Sequence, residues 1–337
     1  MPGLSLPGFV NAHSHAFQRA MRGRAEGDDF WGWRDAMLAE ADGLTPSGVR
    51  ELYAAVYREM LAAGYTAVGE FHYVGCDEAL ATAEAARDAG IGLRLLHVAY
   101  GRGGIARFRQ ESAADYLQAV ERLAEAGVPI GLAPHSVRAC PADWLREIGS
   151  YADRERLVLH VHADEQLREI EECIAEHGRR PIELLADTGC LGAQTTIVHA
   201  THASDAELDL VADAGAGVCI CPTTEANLGD GFAPVARLLE RGISLSIGSD
   251  SNVRIDPFEE LRELEGIARR QELRRNVIGP DELLRIGSEG GAAALGLTEW
   301  DGIEVDLTHR SLAGVSPDGV PGALVFGCAA DVVLRQS

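Results

Sequence analysis

Four short polar clusters in this sequence each end an apolar run: Asn11-Ala-His13-Ser-His15, His160-Val-His162-Ala-Asp-Glu165, Ile197-Val-His199-Ala-Thr-His202 and Gly248-Ser-Asp250. Residues two apart on a strand project to the same side, so His13 and His15 can aim both imidazoles at one ion. In the second cluster a strand-end imidazole is followed three residues later by a carboxylate that can bend over the same centre. A lone His-x-His is a weak signal, and separately satisfied histidines are the plain alternative. The four clusters converge only if the chain closes so that its strand ends meet. The chemistry such a group supports is metal-assisted hydrolysis.

The elements that must position these clusters alternate along the chain. Strands are expected at Gly8–Asn11, Thr66–Phe71, Leu93–Ala99, Pro129–Ala133, Leu157–Val161, Thr195–Val198, Gly217–Ile220 and Ser244–Ile247, with amphipathic stretches between them. Thr45-Pro46 and Asp256-Pro257 pair a capping side chain with a first-turn proline. Ser204-Asp-Ala-Glu207 has capping-box spacing. Phe258, Leu261, Leu264 and Ile267 recur at helical period. Strict alternation of eight units predicts an α/β fold, a (β/α)8 TIM-type barrel whose strand C-termini carry the active site. An open doubly wound sheet is the competing architecture. No GxGxxG, GxxxxGK[ST] or GxSxG occurs in the required context, so nucleotide-binding and serine-hydrolase readings lack their motifs.

After about Leu297 the character changes. Gly302–Leu307, Gly322–Phe326 and Asp331–Leu334 read as three short strands, which divides the chain into a barrel over 1–296 and a small β-region over 297–337.

Composition narrows the partners. Of 337 residues, 46% are hydrophobic and 24% charged, ordinary values for a globular chain. A net charge of −22 argues against nucleic acid and anionic membranes, which need basic surface. It also repels anionic small molecules unless arginines are placed locally in a shielded pocket. No long apolar run predicts a membrane span, and Met1–Gly8 has no signal-peptide pattern. Seven cysteines form no CxxC pair, and Cys219 and Cys221, in an apolar strand-like run, read as packing. A reducing cytoplasm is the expected location.

With these clusters the chain resembles the amidohydrolase superfamily, specifically its mononuclear deaminase branch. The resemblance implies one Zn2+ per chain held by His13, His15, His162 and Asp250. It also implies Glu165 as general acid/base, with His199 and Asp250 at the catalytic water. Longer motifs are similar to the formimidoylglutamate deiminases: Leu6–Gly23, Phe30-Trp-Gly-Trp-Arg34, Gly69–Val74, Ala133-Pro-His-Ser-Val-Arg138 and Thr223–Gly231. That similarity runs from about residue 6 to beyond residue 260. It implies hydrolytic deimination of N-formimidoyl-L-glutamate to N-formyl-L-glutamate and ammonia in histidine degradation. The small-molecule dicarboxylate would be met by Arg34 and Arg138, since guanidinium binds carboxylate through parallel hydrogen bonds. Gln18, Tyr73 and His135 occupy the family's substrate-contact positions. A homodimer is a further implication.

Each assignment has a plainer alternative. Arg34 could be a surface charge, Arg138 a helix cap or a partner of Asp143, and Tyr73 a core residue. His160 is expected to support its strand and His202 to sit behind the site. His72, His97, His177 and His309 are read as structural or solvent-exposed. Glu225 and Asn227 could line the pocket but are assigned no role. Deaminases of guanine, adenosine-type or triazine substrates share the metal pattern, and a non-catalytic zinc-binding barrel is a rival of another class. One departure stands out. The family carries N-terminal strands that pair with the C-terminal ones, whereas here only Leu4–Leu6 remain as a stub. The last strands are therefore expected to lack partners, and either the true start lies upstream or the β-region is reduced.

Overall fold

The structure of the protein, a computed structural model, describes residues 3–334 apart from 25 and 28. The outer limits given above to the two regions, 1 and 337, lie outside the described residues. Eleven strands occur in chain order: β1 (Gly3–Pro7), β2 (Phe9–Ser14), β3 (Tyr65–His72), β4 (Gly92–Ala99), β5 (Ile130–Pro134), β6 (Leu159–Ala163), β7 (Thr195–His199), β8 (Gly217–Ile220), β9 (Leu245–Ile247), β10 (Gly302–Asp306) and β11 (Val333–Leu334). Strands β2 to β9 form one parallel sheet in sequential order, with helices in the connections. Bonds between the strand ends close it: Asp250 N–H donates to the His13 carbonyl at 3.0 Å and His15 N–H to the Asp250 carbonyl at 2.8 Å. The eight predicted strands become the eight barrel strands, and the open-sheet alternative is excluded.

Local sequence accounts for the helix starts. Thr45 accepts from Gly48 N–H, Asp256 from Phe258 and Glu259 N–H, and Ser204 forms a full capping box with Glu207. These bonds satisfy backbone donors that have no partner within the helix. The predicted apolar stripe Phe258, Leu261, Leu264 and Ile267 is buried, and Phe258 meets Phe9 of β2 edge to face at 5.1 Å. At Gly248 space alone requires glycine: a Cβ there would lie 2.7 Å from the His13 carbonyl oxygen. Barrel closure beside His13 thus depends on the absence of a side chain there.

The terminal region departs from expectation in two places. The segment Val320–Gly327, which contains the predicted strand Gly322–Phe326, is α-helical. Its apolar run is short enough to read either way, and Leu324 and Val325 pack into the main core. The expected lack of partner strands is also corrected. The Leu4–Leu6 stub belongs to β1, which pairs antiparallel with β10 from Gly3 opposite Asp306 to Pro7 opposite Gly302. The order is β1-β10-β11, so the boundary drawn at residue 297 cuts through a sheet whose first strand precedes the barrel. No helix among the described residues is long and apolar enough to cross a membrane.

Candidate active site

All four polar clusters lie at the carboxyl ends of barrel strands. His13 is on β2 and His15 immediately follows it, His162 is on β6, His199 ends β7, and Asp250 follows β9. Ligand atoms of His13, His15, His162 and Asp250 all lie within 4.8 Å of one another, and all four residues are buried. His13 Nε2 is 3.1 Å from the Nε2 atoms of both His15 and His162. Asp250 Oδ1 is 3.1 Å from His15 Nε2 and 3.5 Å from His13 Nε2.

The second nitrogens decide what these atoms offer. His15 Nδ1–H donates to the Phe71 carbonyl at 3.1 Å and His162 Nδ1–H to the His135 carbonyl at 3.0 Å. That tautomer leaves both Nε2 lone pairs facing inward. A proton on His13 Nε2 can serve only one of them, whereas a cation serves all. Burial lowers His13 to about 3 and holds His162 well below the ordinary imidazole range, so both rings are neutral donors. Asp250 is the reverse. Burial favours its neutral form, but the adjoining His13 and His15 imidazoles outweigh it and hold its carboxyl well below the usual range. Tetrahedral zinc with bonds of ~2.0–2.1 Å separates its ligand atoms by ~3.3 Å. The donor set fits a zinc-like ion.

A hydrogen-bonded network fixes the β2 and β9 ends. Asn11 Nδ2–H donates to Ser249 Oγ at 2.6 Å, Ser249 Oγ–H to Asn252 Oδ1 at 2.7 Å, and Asn252 Nδ2–H to Ser14 Oγ at 3.1 Å. Asp250 and His199 adopt φ of 43° and 76°, values sparsely used by residues other than glycine. Such backbone persists where surrounding bonds over-determine it, as at functional sites.

Glu165 stands over this group, with Oε1 3.8 Å from His199 Nε2 and Oε2 3.2 Å from Arg138 Nη2. His199 Nδ1 is 3.1 Å from Glu225 Oε1 and its Nε2 is 3.8 Å from Asp250 Oδ2. Burial works against charge on His199, but Glu165, Glu225 and Asp250 outweigh it and hold the imidazole well above its ordinary range.

The site opens into a cleft of about 210 Å³ lined by His15, His162, Glu165, His199 and Asp250 together with Gln18, Arg34, Tyr73, His135 and Arg138. Of the predicted site residues, only His13 is not on this wall; it lies behind it, fully buried. Tyr73 Oη is 3.4 Å from His135 Nε2. Arg138 pairs with Glu165 and, at 3.6 Å, with Glu169, and not with Asp143. Arg34 lies beside Tyr100. Both arginines therefore border the cleft, Arg138 through acids that already hold it.

Other residues were not visible as functional in the sequence. Glu225 orients His199 and also accepts from Cys221 N–H at 2.9 Å. Asp230, pushed up to about 9 chiefly by burial, is bonded by the Gln166 amide next to Glu165. The shared signal was the motif Thr223–Gly231, whose two acids carry no periodicity that assigns them. Arg168 stacks its guanidinium over Trp31 at the cleft rim, 4.4 Å from the ring centre. The remaining histidines are structural: His160 Nε2–H donates to the Ala294 carbonyl at 2.8 Å, and His72 and His97 are buried behind their strands. His202 is not on the cleft wall, and its carbonyl accepts from Arg180.

Comparison with known proteins agrees with this geometry. The formimidoylglutamate deiminase of Pseudomonas aeruginosa is 40% identical, across 87% of this chain and 72% of that protein. A 5-methylthioadenosine/S-adenosylhomocysteine deaminase of Haloarcula marismortui is 31% identical, across 87% and 69%. The solved structure of an adenosine deaminase from Xanthomonas campestris with bound zinc superposes with a TM-score of 0.90, at 25% identity, over 98% of this chain and 78% of that one. The sequence profile of the amidohydrolase family matches residues 4–305, and the chain, an eight-stranded barrel related to hydrolytic deiminases and deaminases, belongs to that family.

Proposed function

We propose that this protein is a zinc-dependent deiminase that hydrolyses N-formimidoyl-L-glutamate to N-formyl-L-glutamate and ammonia, a step of histidine breakdown. The observation that carries the reading is the shared cleft. Arg34 and Arg138, suited to a substrate with two carboxylates, line the same cavity as His15, His162, Glu165 and Asp250. Arg138 Nη1 has no partner among the described residues, so the guanidinium retains donors for a substrate carboxylate while Glu165 and Glu169 hold its other side.

Zinc bound by His13, His15, His162 and Asp250 supplies a Lewis acid and brings the pKa of water toward ~7. Glu165 takes a proton from the attacking water and passes it to the imine nitrogen, then takes the remaining hydroxyl proton and passes it to the same nitrogen, which leaves as ammonia as the formyl C=O forms. His199, held cationic by its three acids, faces the reacting centre through Nε2 and steadies negative charge that develops on oxygen. Asp250 orients the water through the oxygen turned toward His199. Tyr73, His135 and Gln18 position the chain between the amidine and the carboxylates. The seven cysteines are free, which suits a reducing cytoplasm.

The test is ammonia release from formimidoylglutamate beside adenosine, 5-methylthioadenosine and guanine, with metal analysis of the same sample. Preferred turnover of formimidoylglutamate supports the reading. Preferred turnover of a purine replaces the substrate, and bound zinc without turnover of any compound makes the barrel a scaffold.

A further inference from the structure

The geometry points to a second cation site in the same cleft, formed by His199, Cys221 and Asp250, at which a thiophilic divalent metal inhibits the enzyme. One ring nitrogen of His199, the Cys221 sulfur and a carboxylate oxygen of Asp250 all lie within 4.8 Å of one another. Three atoms no farther apart than that can be reached from one centre at ~2.8 Å or less. Zinc–sulfur and zinc–nitrogen bonds of ~2.3 and ~2.0–2.1 Å then need the group to contract by only some tenths of an ångström.

Two of the donors turn an atom toward this group. His199 Nδ1 is engaged with Glu225, which leaves Nε2, 3.8 Å from Asp250 Oδ2. Asp250 directs Oδ1 toward His13 and His15 and Oδ2 toward His199, so its carboxylate faces two centres at once. The Cys221 thiol has no part in the hydrolysis described above. It is fully buried in a small apolar cluster with Ala12, Val198 and Cys219, apart from the main core.

A second observation favours a cation. The surroundings hold a buried carboxylate oxygen without a hydrogen-bond partner: Glu225 is 1% exposed with Oε2 unpartnered. Glu165 adds a second acid 3.8 Å from His199 Nε2. Access runs through the cleft, whose wall includes His199 and Asp250. The first site offers three imidazoles and a carboxylate. The second offers a thiolate, which selects softer metals. Binding releases two protons to solvent, one from the Cys221 thiol and one from His199 Nε2. An ion there takes His199 Nε2 and Asp250 Oδ2 away from the substrate, so inhibition follows whichever substrate the enzyme uses.

The experiment titrates protein carrying one zinc with cadmium. Bound metal should rise from about one to about two per chain, with a thiolate-to-cadmium charge-transfer absorption and loss of ammonia release. Cys221→Ser should weaken the second event roughly 100-fold and abolish the absorption. It should keep the first metal and its turnover without cadmium, which also shows that the variant folds. Cys219→Ser should retain both events. Wild-type protein that stops at one metal overturns the proposal. So does an absorption undiminished by Cys221→Ser, or one lost only in Cys219→Ser.

Discussion

The Nε2 atoms of His13 and His162 stand 3.1 Å apart although the residues are 149 positions apart in the chain. Both rings are buried and neutral, and His15 Nε2 lies equally close to His13, so one proton on His13 cannot serve both inward lone pairs.

Removal of metal should therefore be felt by the fold as well as by the chemistry. Chelation is expected to abolish ammonia release and to lower the melting temperature by several degrees, since a ligand at a thousand times its Kd stabilises by about 4 kcal/mol. Zinc restores both. Calorimetry before and after chelation checks this, and an unchanged melting temperature would remove the lone-pair argument.

Glu165→Gln keeps the shape of the side chain and its contact with Arg138 but loses the basic oxygen. Turnover should fall by roughly 10²–10⁴-fold while zinc content stays the same. Activity within a few-fold of wild type would assign proton transfer elsewhere.

Arg34 and Arg138 should separate in steady-state kinetics. Loss of a charged contact costs about 1.5–3 kcal/mol, so Arg34→Met is expected to raise KM for formimidoylglutamate tenfold or more with little change in kcat. Arg138→Met should raise KM similarly and lower kcat as well, because Arg138 also holds Glu165 at 3.2 Å. Equal effects of the two variants on kcat would contradict that coupling.

Glu70 should give stability a measurable dependence on pH. Burial raises its carboxyl to about 8, against partial relief from the Ala16 N–H, which donates to Oε1 at 2.7 Å. Between the ordinary carboxyl value of 4.5 and about 8 the folded protein holds a proton that the unfolded chain has lost. The stability this proton contributes is present below the lower value and disappears as pH rises through the upper one. Glu70→Gln cannot titrate. Its melting temperature relative to wild type should climb from pH 5 to 8 and level above that. A constant difference across the range would show that Glu70 is ionised when buried.

Much of the fold was legible because it is written in local patterns. The apolar runs at Thr66–Phe71 and Leu93–Ala99 fall within strands β3 and β4, and Thr45, Ser204 and Asp256 cap the helices that follow them. The histidines of the candidate metal site were legible for the same reason, since each sits where an apolar strand ends. The helix Val320–Gly327 was misread because a short, uniformly apolar run has no period to separate helix from strand. Glu225, in the helix Pro222–Leu228, passed unassigned because its partner His199 lies 26 residues away at the end of β7. Cys221 read as packing, which its full burial bears out. Its nearness to His199 and Asp250 had no local trace.

The order of residues along the chain determined which donors exist and set each at the carboxyl end of a strand, because hydrophobic period and capping act over a few neighbouring positions. Only the tertiary structure decided the distances between them. Closure of the barrel through Asp250 and His13 turns separate strand ends into one centre, and it seats Arg138 against Glu165 and Glu225 behind His199. Those pairings join segments with no common period, so their geometry exists only once the whole sheet has closed.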